Sequence, residues 1–304
     1  MQHIFDIIII GGGPAGYTAA MYASRAGLDC VVVERLSPGG QMALTDVIDN
    51  YPGFDEGIDG FDLGMKMLNQ AERFGAKTEY AEVTAVDFAG EIKKVCTTAG
   101  EFLSKTVVIA TGANPRKIGL ENEDKFAGKG VHYCAHCDGR FYKDKTVVVL
   151  GGGNTAVEDA LYLSRMAQKV YIVHRRDKFR ATDIYVKRLE KAENVEIVFN
   201  NTVTEIIADE KLTGVKIKNT DNAQVETINC DGLFVSIGRN PATGFLNNSV
   251  KLDNGGYILA DESTKTDVAG VFAVGDVRAK ALRQVVTAVA DGAVAVHFAE
   301  EFLK

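Results

Sequence analysis

The sequence predicts an α/β fold in which two three-layer domains of one kind share a chain, the second inserted into a discontinuous first. Three observations carry that prediction. The stretch IIIIGGGPAGYTAAMYASRAGLDCVVVER from Ile7 returns without a gap as VVVLGGGNTAVEDALYLSRMAQKVYIVHR from Val147, so that Gly11, Gly12, Gly13, Ala20, Ser24 and Arg25 fall on Gly151, Gly152, Gly153, Ala160, Ser164 and Arg165. The segment ATGANP at 110–115 is echoed by SIGRNP at 236–241, as two short crossings between domains would be. At 304 residues, with 46% hydrophobic and 25% charged residues, the chain has room for two ordinary globular cores.

Each copy opens on an apolar run suited to a strand buried on both faces. A glycine turn, an amphipathic helix and a second apolar strand follow, which is the βαβ opening of a parallel sheet. Beyond the first copy, SPGGQMALTDVIDNYPGF carries enough turn residues to predict irregular chain. Helical spacing resumes over 61–74, and alternation over 78–88, 93–98 and 101–103 predicts a small antiparallel layer. TVVIATGANPR then supplies a buried strand with a Gly and Pro turn that closes the first unit. The second unit is expected to add strands at 195–199, 203–208, 212–218 and 233–237. The chain returns through GVFAVGDV at 270–277, a strand ending on Gly275 and Asp276, to a long helix from about Arg283. The expected domains are 1–115 with 244–304, and 116–243.

The glycine turns say what the domains hold. Gly11 and Gly151 permit the tight turn, Gly13 and Gly153 let backbone approach a pyrophosphate, and Gly16 and Ala156 let the helix pack closely. Pro14 and Ala15 in one copy, and Asn154 and Thr155 in the other, open the helix whose N-terminus would receive the phosphates. Both domains therefore read as Rossmann-like and dinucleotide-binding. Their second strands end differently. Glu34, followed by Arg35, is an acceptor suited to a ribose 2′-hydroxyl, as in FAD or NAD. His174 stands at that place in the second copy, followed by Arg175, Arg176 and Arg180, a guanidinium cluster suited to the 2′-phosphate of NADPH. The plainer reading of HRRDKFR is a solvated basic segment. Two such sites in one chain imply an electron path from NADPH to a flavin. A second nicotinamide nucleotide in the first site is the alternative, although nothing near Gly11 resembles a dehydrogenase substrate pocket.

The formal net charge of −7 excludes a basic surface for nucleic acid. The longest N-terminal apolar run, Ile7–Ile10, is too short to span a bilayer or to form a signal-peptide core, so no membrane partner and a cytoplasmic location are expected. Five cysteines are an odd, sparse set, unlike a secreted disulfide scaffold. Cys30, Cys96 and Cys230 read as small core residues in strands.

The remaining two stand in HYCAHCDGR at 132–140. A zinc site would need four ligands from Cys134, His136, Cys137 and His132 packed into six residues, without a second Cys-x-x-Cys, so no metal is expected. A redox dithiol fits better: the i, i+3 spacing at a helix start places both sulfurs near backbone amides that stabilise a thiolate. Asp138 is the candidate proton donor, with helix capping as its plainer role. His136 reads equally as a spacer, a partner contact or a proton relay.

GGGPAGYTAA, GGQ at 39–41, CAHCDG, GGGNTAVEDALYLS, HRRDKFRA, FAVGDV and RQVVTAVADG follow one another in the order of a known family. Over essentially its full length the chain resembles bacterial low-molecular-weight thioredoxin reductases. The cysteine pair inside the NADPH lobe separates that family from glutathione-reductase-type enzymes. The resemblance implies a homodimeric thioredoxin-disulfide reductase passing electrons from NADPH through FAD to a Cys134–Cys137 disulfide and on to thioredoxin. It further implies that Cys137 faces the flavin, that Cys134 attacks the partner and that Asp138 is the acid. FAD contacts are implied for Gly39, Gly40, Gln41, Met42, Asn50, Ala110, Thr111, Gly112, Gly275, Asp276, Arg283, Gln284 and Val285. A rotating lobe hinged near 115 and 241 is implied as well. His136 departs from the small or hydroxyl residue common in relatives. The competing functions are reduction of another dithiol protein, a ferredoxin-dependent variant of the fold, and a nucleotide-bound redox-sensing binding protein.

Overall fold

The computed structural model describes residues 3–45 and 47–304. In chain order the first segment forms β1 (Ile4–Ile10), α1 (Pro14–Arg25), β2 (Cys30–Glu34), α2 (Gly60–Arg73), β3 (Lys77–Tyr80), β4 (Val83–Asp87), β5 (Lys93–Thr97), β6 (Gly100–Ile109) and the short β7 (Ala113–Pro115). Then come β8 (Val131–His132), α3 (Ala135–Asp138), β9 (Thr146–Leu150), α4 (Asn154–Leu163), β10 (Lys169–Val173), α5 (Asp183–Leu189), β11 (Val195–Val198), β12 (Asn201–Ala208), β13 (Leu212–Asn219), β14 (Val225–Asn229) and β15 (Gly232–Val235). The chain returns through β16 (Arg239–Pro241), β17 (Val271–Ala273) and α6 (Val285–Leu303).

Two compact units result, 1–114 with 240–304, and 115–239. Their junctions fall at Asn114/Pro115 and Arg239/Asn240, where the sequence placed them at 115/116 and 243/244.

The fold is α/β, and the repeat extends past the βαβ. In the first unit the sheet runs β3-β2-β1-β6, with β17 beyond β6 and all these neighbours parallel. The second unit has β11-β10-β9-β15-β8, also parallel throughout. Each unit adds a three-stranded antiparallel meander, β4-β5-β6 in one and β12-β13-β14 in the other. The apolar runs are continuous because both strand faces are covered, successive side chains pointing to opposite sides. Ile7 and Ile9 of β1 pack on α1, α2 and α6, while Ile8 and Ile10 pack on residues of β4, β5 and 245–258. In β9, Val147 and Val149 face α4, while Val148 and Leu150 face the β12–β14 meander.

The structure revises several expectations. The antiparallel segment at 101–103 and the buried strand after it are one continuous β6 of ten residues. The polar run Ser104–Thr106 mimics a break, but Ser104 and Thr106 are fully buried and satisfied in place, Ser104 Oγ donating to the Thr106 carbonyl and Thr106 Oγ to that of Asp6. The 37–54 loop holds a 3-10 turn at Gly40–Leu44, and Asp46 within that loop lies outside the described residues. The elements β8, α5 and β14 had no sequence signal. Cys96 is half-buried rather than core, and Cys230 is buried in a link outside any strand.

Candidate active site

The cysteine turn follows directly from β8. Cys134 takes an extended conformation as N-cap of α3, and the one-turn helix carries Cys137 back to it. The two sulfurs are joined in a disulfide with Cα atoms 5.3 Å apart, and the Cys137 N–H donates to Cys134 Sγ at 3.2 Å. The helix is four residues long and passes into a 3-10 turn at Gly139–Tyr142, so single backbone amides rather than a helix dipole are what it offers a thiolate. The turn lies close on α4: a Cβ at Gly139 would meet Leu163 Cδ2 at 2.9 Å and Tyr162 Cε1 at 3.0 Å.

Both histidines of the motif are engaged. His132, 6% exposed, sets Nδ1 3.0 Å from Asp138 Oδ2 and Nε2 2.6 Å from the Tyr142 hydroxyl. His136, half exposed, stacks on Tyr162 with ring centroids 4.3 Å apart and has Nδ1 3.8 Å from Asp159 Oδ1. Asp159 is buried, and its Oδ2 accepts from Ser236 Oγ at 2.5 Å. Burial pushes the Asp159 carboxyl above the usual range, opposed by the Ser236 hydroxyl and the His136 charge.

The other thiols are quiet. Burial pushes Cys230 up to about 12 and Cys30 upward as well, and only a thiolate is nucleophilic. Alkylation of the native oxidised protein near pH 8 is therefore expected to label Cys96 alone, and mild reduction to add Cys134 and Cys137. Rapid labelling of Cys30 or Cys230, read by peptide mass, would contradict this assignment.

In the first unit several of the predicted cofactor residues lie against the first glycine turn. Gly11 has φ +107°, and a Cβ on it would press on the Ala110 carbonyl at 2.6 Å, which explains why this closing turn lies beside it. A Cβ on Gly16 would overlap the Gly11 carbonyl, whereas Gly13 has open space. Glu34 accepts from Gly12 N–H at 2.6 Å and Leu36 N–H at 2.8 Å, which orients its carboxylate over the turn. Gly39 N–H donates to the Gly12 carbonyl at 2.8 Å, and Gly40 approaches Gly13. Gly275 sits against Ala15, and its N–H donates to buried Asp291 on α6 at 2.9 Å. Asn50 donates to Gln284 at 3.0 Å, Arg283 Nε to the Asp276 carbonyl at 3.3 Å, Gln41 to Asn114 at 2.9 Å and Thr111 Oγ to the Ala242 carbonyl at 2.8 Å. Val285 packs with Met42 in one apolar cluster. Arg35 goes elsewhere, to Glu82 at 3.6 Å on the surface.

The second glycine turn repeats the geometry with different walls. Gly151, φ +152°, leaves no room for a Cβ against the Ser236 carbonyl, and Gly153 again has open space. His174 lies over Gly152, 5% exposed, and its Nε2 has no hydrogen-bond partner among the described residues. Burial, and then the neighbouring arginines led by Arg180, hold its pKa below the usual value. Arg180 N–H donates to the Gly152 carbonyl at 2.7 Å, folding the 174–180 loop back over the turn, with Arg175 and Arg176 exposed on it. Asn154 Oδ1 accepts from Thr182 N–H at 2.8 Å, which ties the start of α4 to the end of that loop, and Thr155 follows it in the first turn of the helix. Neither α1 nor α4 has a side-chain cap. Uncapped helix starts, open space at Gly13 and Gly153 and an orphaned buried imidazole nitrogen fit a dinucleotide at each turn.

The description "Pyridine nucleotide-disulphide oxidoreductase" matches residues 5–292. The chain belongs to that family. Membership implies use of a flavin and a nicotinamide nucleotide. Within this family the chain is 47% identical over 305 residues to a Listeria monocytogenes protein named thioredoxin reductase, covering 100% of this chain and 95% of that one. A crystal structure of thioredoxin reductase from Streptococcus pyogenes superposes with a TM-score of 0.93 at 41% identity, covering 100% and 99% of the two chains. A solved structure of thioredoxin reductase from Giardia duodenalis gives 0.94 at 39% identity, covering 99% of each chain.

Sequence reasoning weighed His132 only as a metal ligand, and it missed Tyr142 beside His132, Asp159 and Ser236 beside His136, and Asp291 under Gly275. An aspartate within the apolar pattern of α6 was the one available signal. Asp291 is buried with Arg278 at 3.1 Å and Lys280 at 2.8 Å.

Proposed function

We propose that the chain is an NADPH-dependent thioredoxin reductase, in which two electrons pass from NADPH through FAD to the Cys134–Cys137 disulfide and on to oxidised thioredoxin. The observation that carries this reading is the closed disulfide in the same unit as the second glycine turn and its arginine loop. Full-length similarity to proteins named thioredoxin reductase supports it. FAD, bound at the first glycine turn, supplies a carrier that accepts two electrons from NADPH and delivers them to a disulfide. Gly11, Gly13 and Gly16 admit its diphosphate to the start of α1, and Glu34 accepts from its ribose. Gly153 and the start of α4 receive the diphosphate of NADPH, with the guanidinium groups of Arg175, Arg176 and Arg180 on the 2′-phosphate.

Once reduced, the dithiol works by exchange. A Cys134 thiolate attacks the partner disulfide, forming a mixed disulfide and expelling one partner sulfur. Cys137 then closes the enzyme disulfide and expels the second. Asp138 takes the proton from the closing thiol and returns one to a leaving sulfur. The reading takes the working unit to be a homodimer in the cytoplasm.

Stopped-flow mixing tests this directly. NADPH should bleach the flavin of the purified yellow protein, and oxidised thioredoxin should restore its colour over many turnovers. Bleaching without recovery on thioredoxin would move the reading to another dithiol protein, and failure of NADPH to bleach would end it.

A further inference from the structure

A carboxylate that exchanges protons with a dithiol has to present one oxygen reliably, and Asp138 sits at the end of a single helical turn. The holding group comes from β8. The register of β8 on β15 sets His132 opposite Phe234, and the rings stack with centroids 5.2 Å apart. The Tyr142 ring meets the same imidazole edge-on at 5.2 Å. The imidazole is thus walled on two sides, with Asp138 Oδ2 3.0 Å from Nδ1 and the Tyr142 hydroxyl 2.6 Å from Nε2.

The tautomer follows from the two partners. A carboxylate oxygen only accepts, so Nδ1, 3.0 Å from Asp138 Oδ2, carries the hydrogen and donates to it. Nε2 is then the acceptor of the Tyr142 hydroxyl, which donates to it and keeps that nitrogen without a hydrogen. The chain Tyr142 to His132 to Asp138 therefore has one direction.

We propose that His132 is the positioning residue of the proton-transfer step: fixed as the Nδ1–H tautomer by Tyr142, it holds Oδ2 of Asp138 and leaves Oδ1 to exchange the proton with the dithiol. The inference rests on reading Cys134–Cys137 as the reductase dithiol. When the reduced enzyme meets an external disulfide, one enzyme thiol loses its proton to solvent and attacks, forming the mixed disulfide and breaking the external S–S bond. The second thiol gives its proton to Asp138 and attacks the mixed disulfide, closing Cys134–Cys137. The external disulfide has then gained two electrons. Its two released thiolates take up two protons, one from Asp138 and one from solvent.

The test needs neither NADPH nor thioredoxin. Pre-reduced holoenzyme is mixed with hydroxyethyl disulfide and quenched in acid, and the mixed-disulfide and closed forms at Cys134 and Cys137 are counted by peptide mass. His132→Ala should slow closure by roughly 10- to 100-fold, the usual cost of losing an orienting partner. His132→Asn, whose amide can stand where Nδ1–H stood, should recover most of the rate, and Tyr142→Phe should fall between. In an Asp138→Asn background His132→Ala should cost nothing further, because a group acting only through Asp138 has nothing left to act on. Equal losses in both backgrounds, or an Asn variant no better than Ala, would overturn the proposal. Should His132→Ala fail to fold, the Asn and Phe variants decide alone: closure unchanged in Tyr142→Phe overturns it. A normal His132 dependence in a protein that does not reduce thioredoxin would defeat the functional reading and leave this one standing.

Discussion

Cys137→Ser is expected to bring NADPH-dependent reduction of thioredoxin to background while the protein stays folded and yellow. A serine hydroxyl is neither ionised near neutral pH nor able to close a disulfide, so the exchange point is lost. Little else should change. Cys137 is the third residue of a four-residue helix, partly exposed, and belongs to a different compact unit from the first glycine turn with Gly11, Gly13 and Glu34. The variant also makes a positive prediction. Cys134, freed from its disulfide, should form a mixed disulfide with thioredoxin that cannot resolve and should persist on a non-reducing gel. Retention of turnover by Cys137→Ser would sink the assignment of this pair, whatever happened to the flavin.

Replacing Arg176 by alanine should raise the KM for NADPH by about 10- to 100-fold, since a hydrogen bond to a charged group contributes roughly 1.5–3 kcal/mol. The KM for NADH, which has no 2′-phosphate, should hardly move. Arg175→Ala and Arg180→Ala should act in the same direction, and kcat at saturating NADPH should hold, because the arginines bind a part of the substrate remote from the hydride. All three lie on the loop that Arg180 N–H fastens to the Gly152 carbonyl, and all are exposed. The effect should fade as salt or inorganic phosphate is added. A parallel rise for NADPH and NADH would mean that the loop shapes the site generally and that HRRDKFR is a solvated segment.

The readable part of this protein was the part whose physics is local. A glycine turn that needs φ +107° at Gly11, or a carbonyl where a Cβ of Gly16 would lie, admits almost no other residue, so the pattern shows in the letters and shows twice. The apolar runs of β1 and β9 were equally plain, because strands covered on both faces have no polar alternation to read. Where polar residues are buried and satisfied across the sheet, as at Ser104 and Thr106, the same logic misplaced a strand end.

His136 shows the limit from the other side. Between two cysteines it invited a chemical role, yet its ring rests on Tyr162 and faces Asp159, which is held in turn by a residue 77 positions away. Nothing near HYCAHCDGR in the chain announces those neighbours. The same holds for Asn50 and Gln284, paired across a separation of 234 residues.

By itself, then, the sequence determined the α/β class, the repeated dinucleotide turn, the arginine loop and the dithiol, each set by short-range sterics, periodicity or charge within a few residues. Only the tertiary structure decided which side chains orient that chemistry. Tyr142 reaches His132, His132 reaches Asp138, and Asp291 reaches Gly275. The reason is physical. A buried polar atom must find a partner wherever packing brings one within about 3 Å, and that neighbour is chosen by the way strands and helices stack rather than by spacing along the chain.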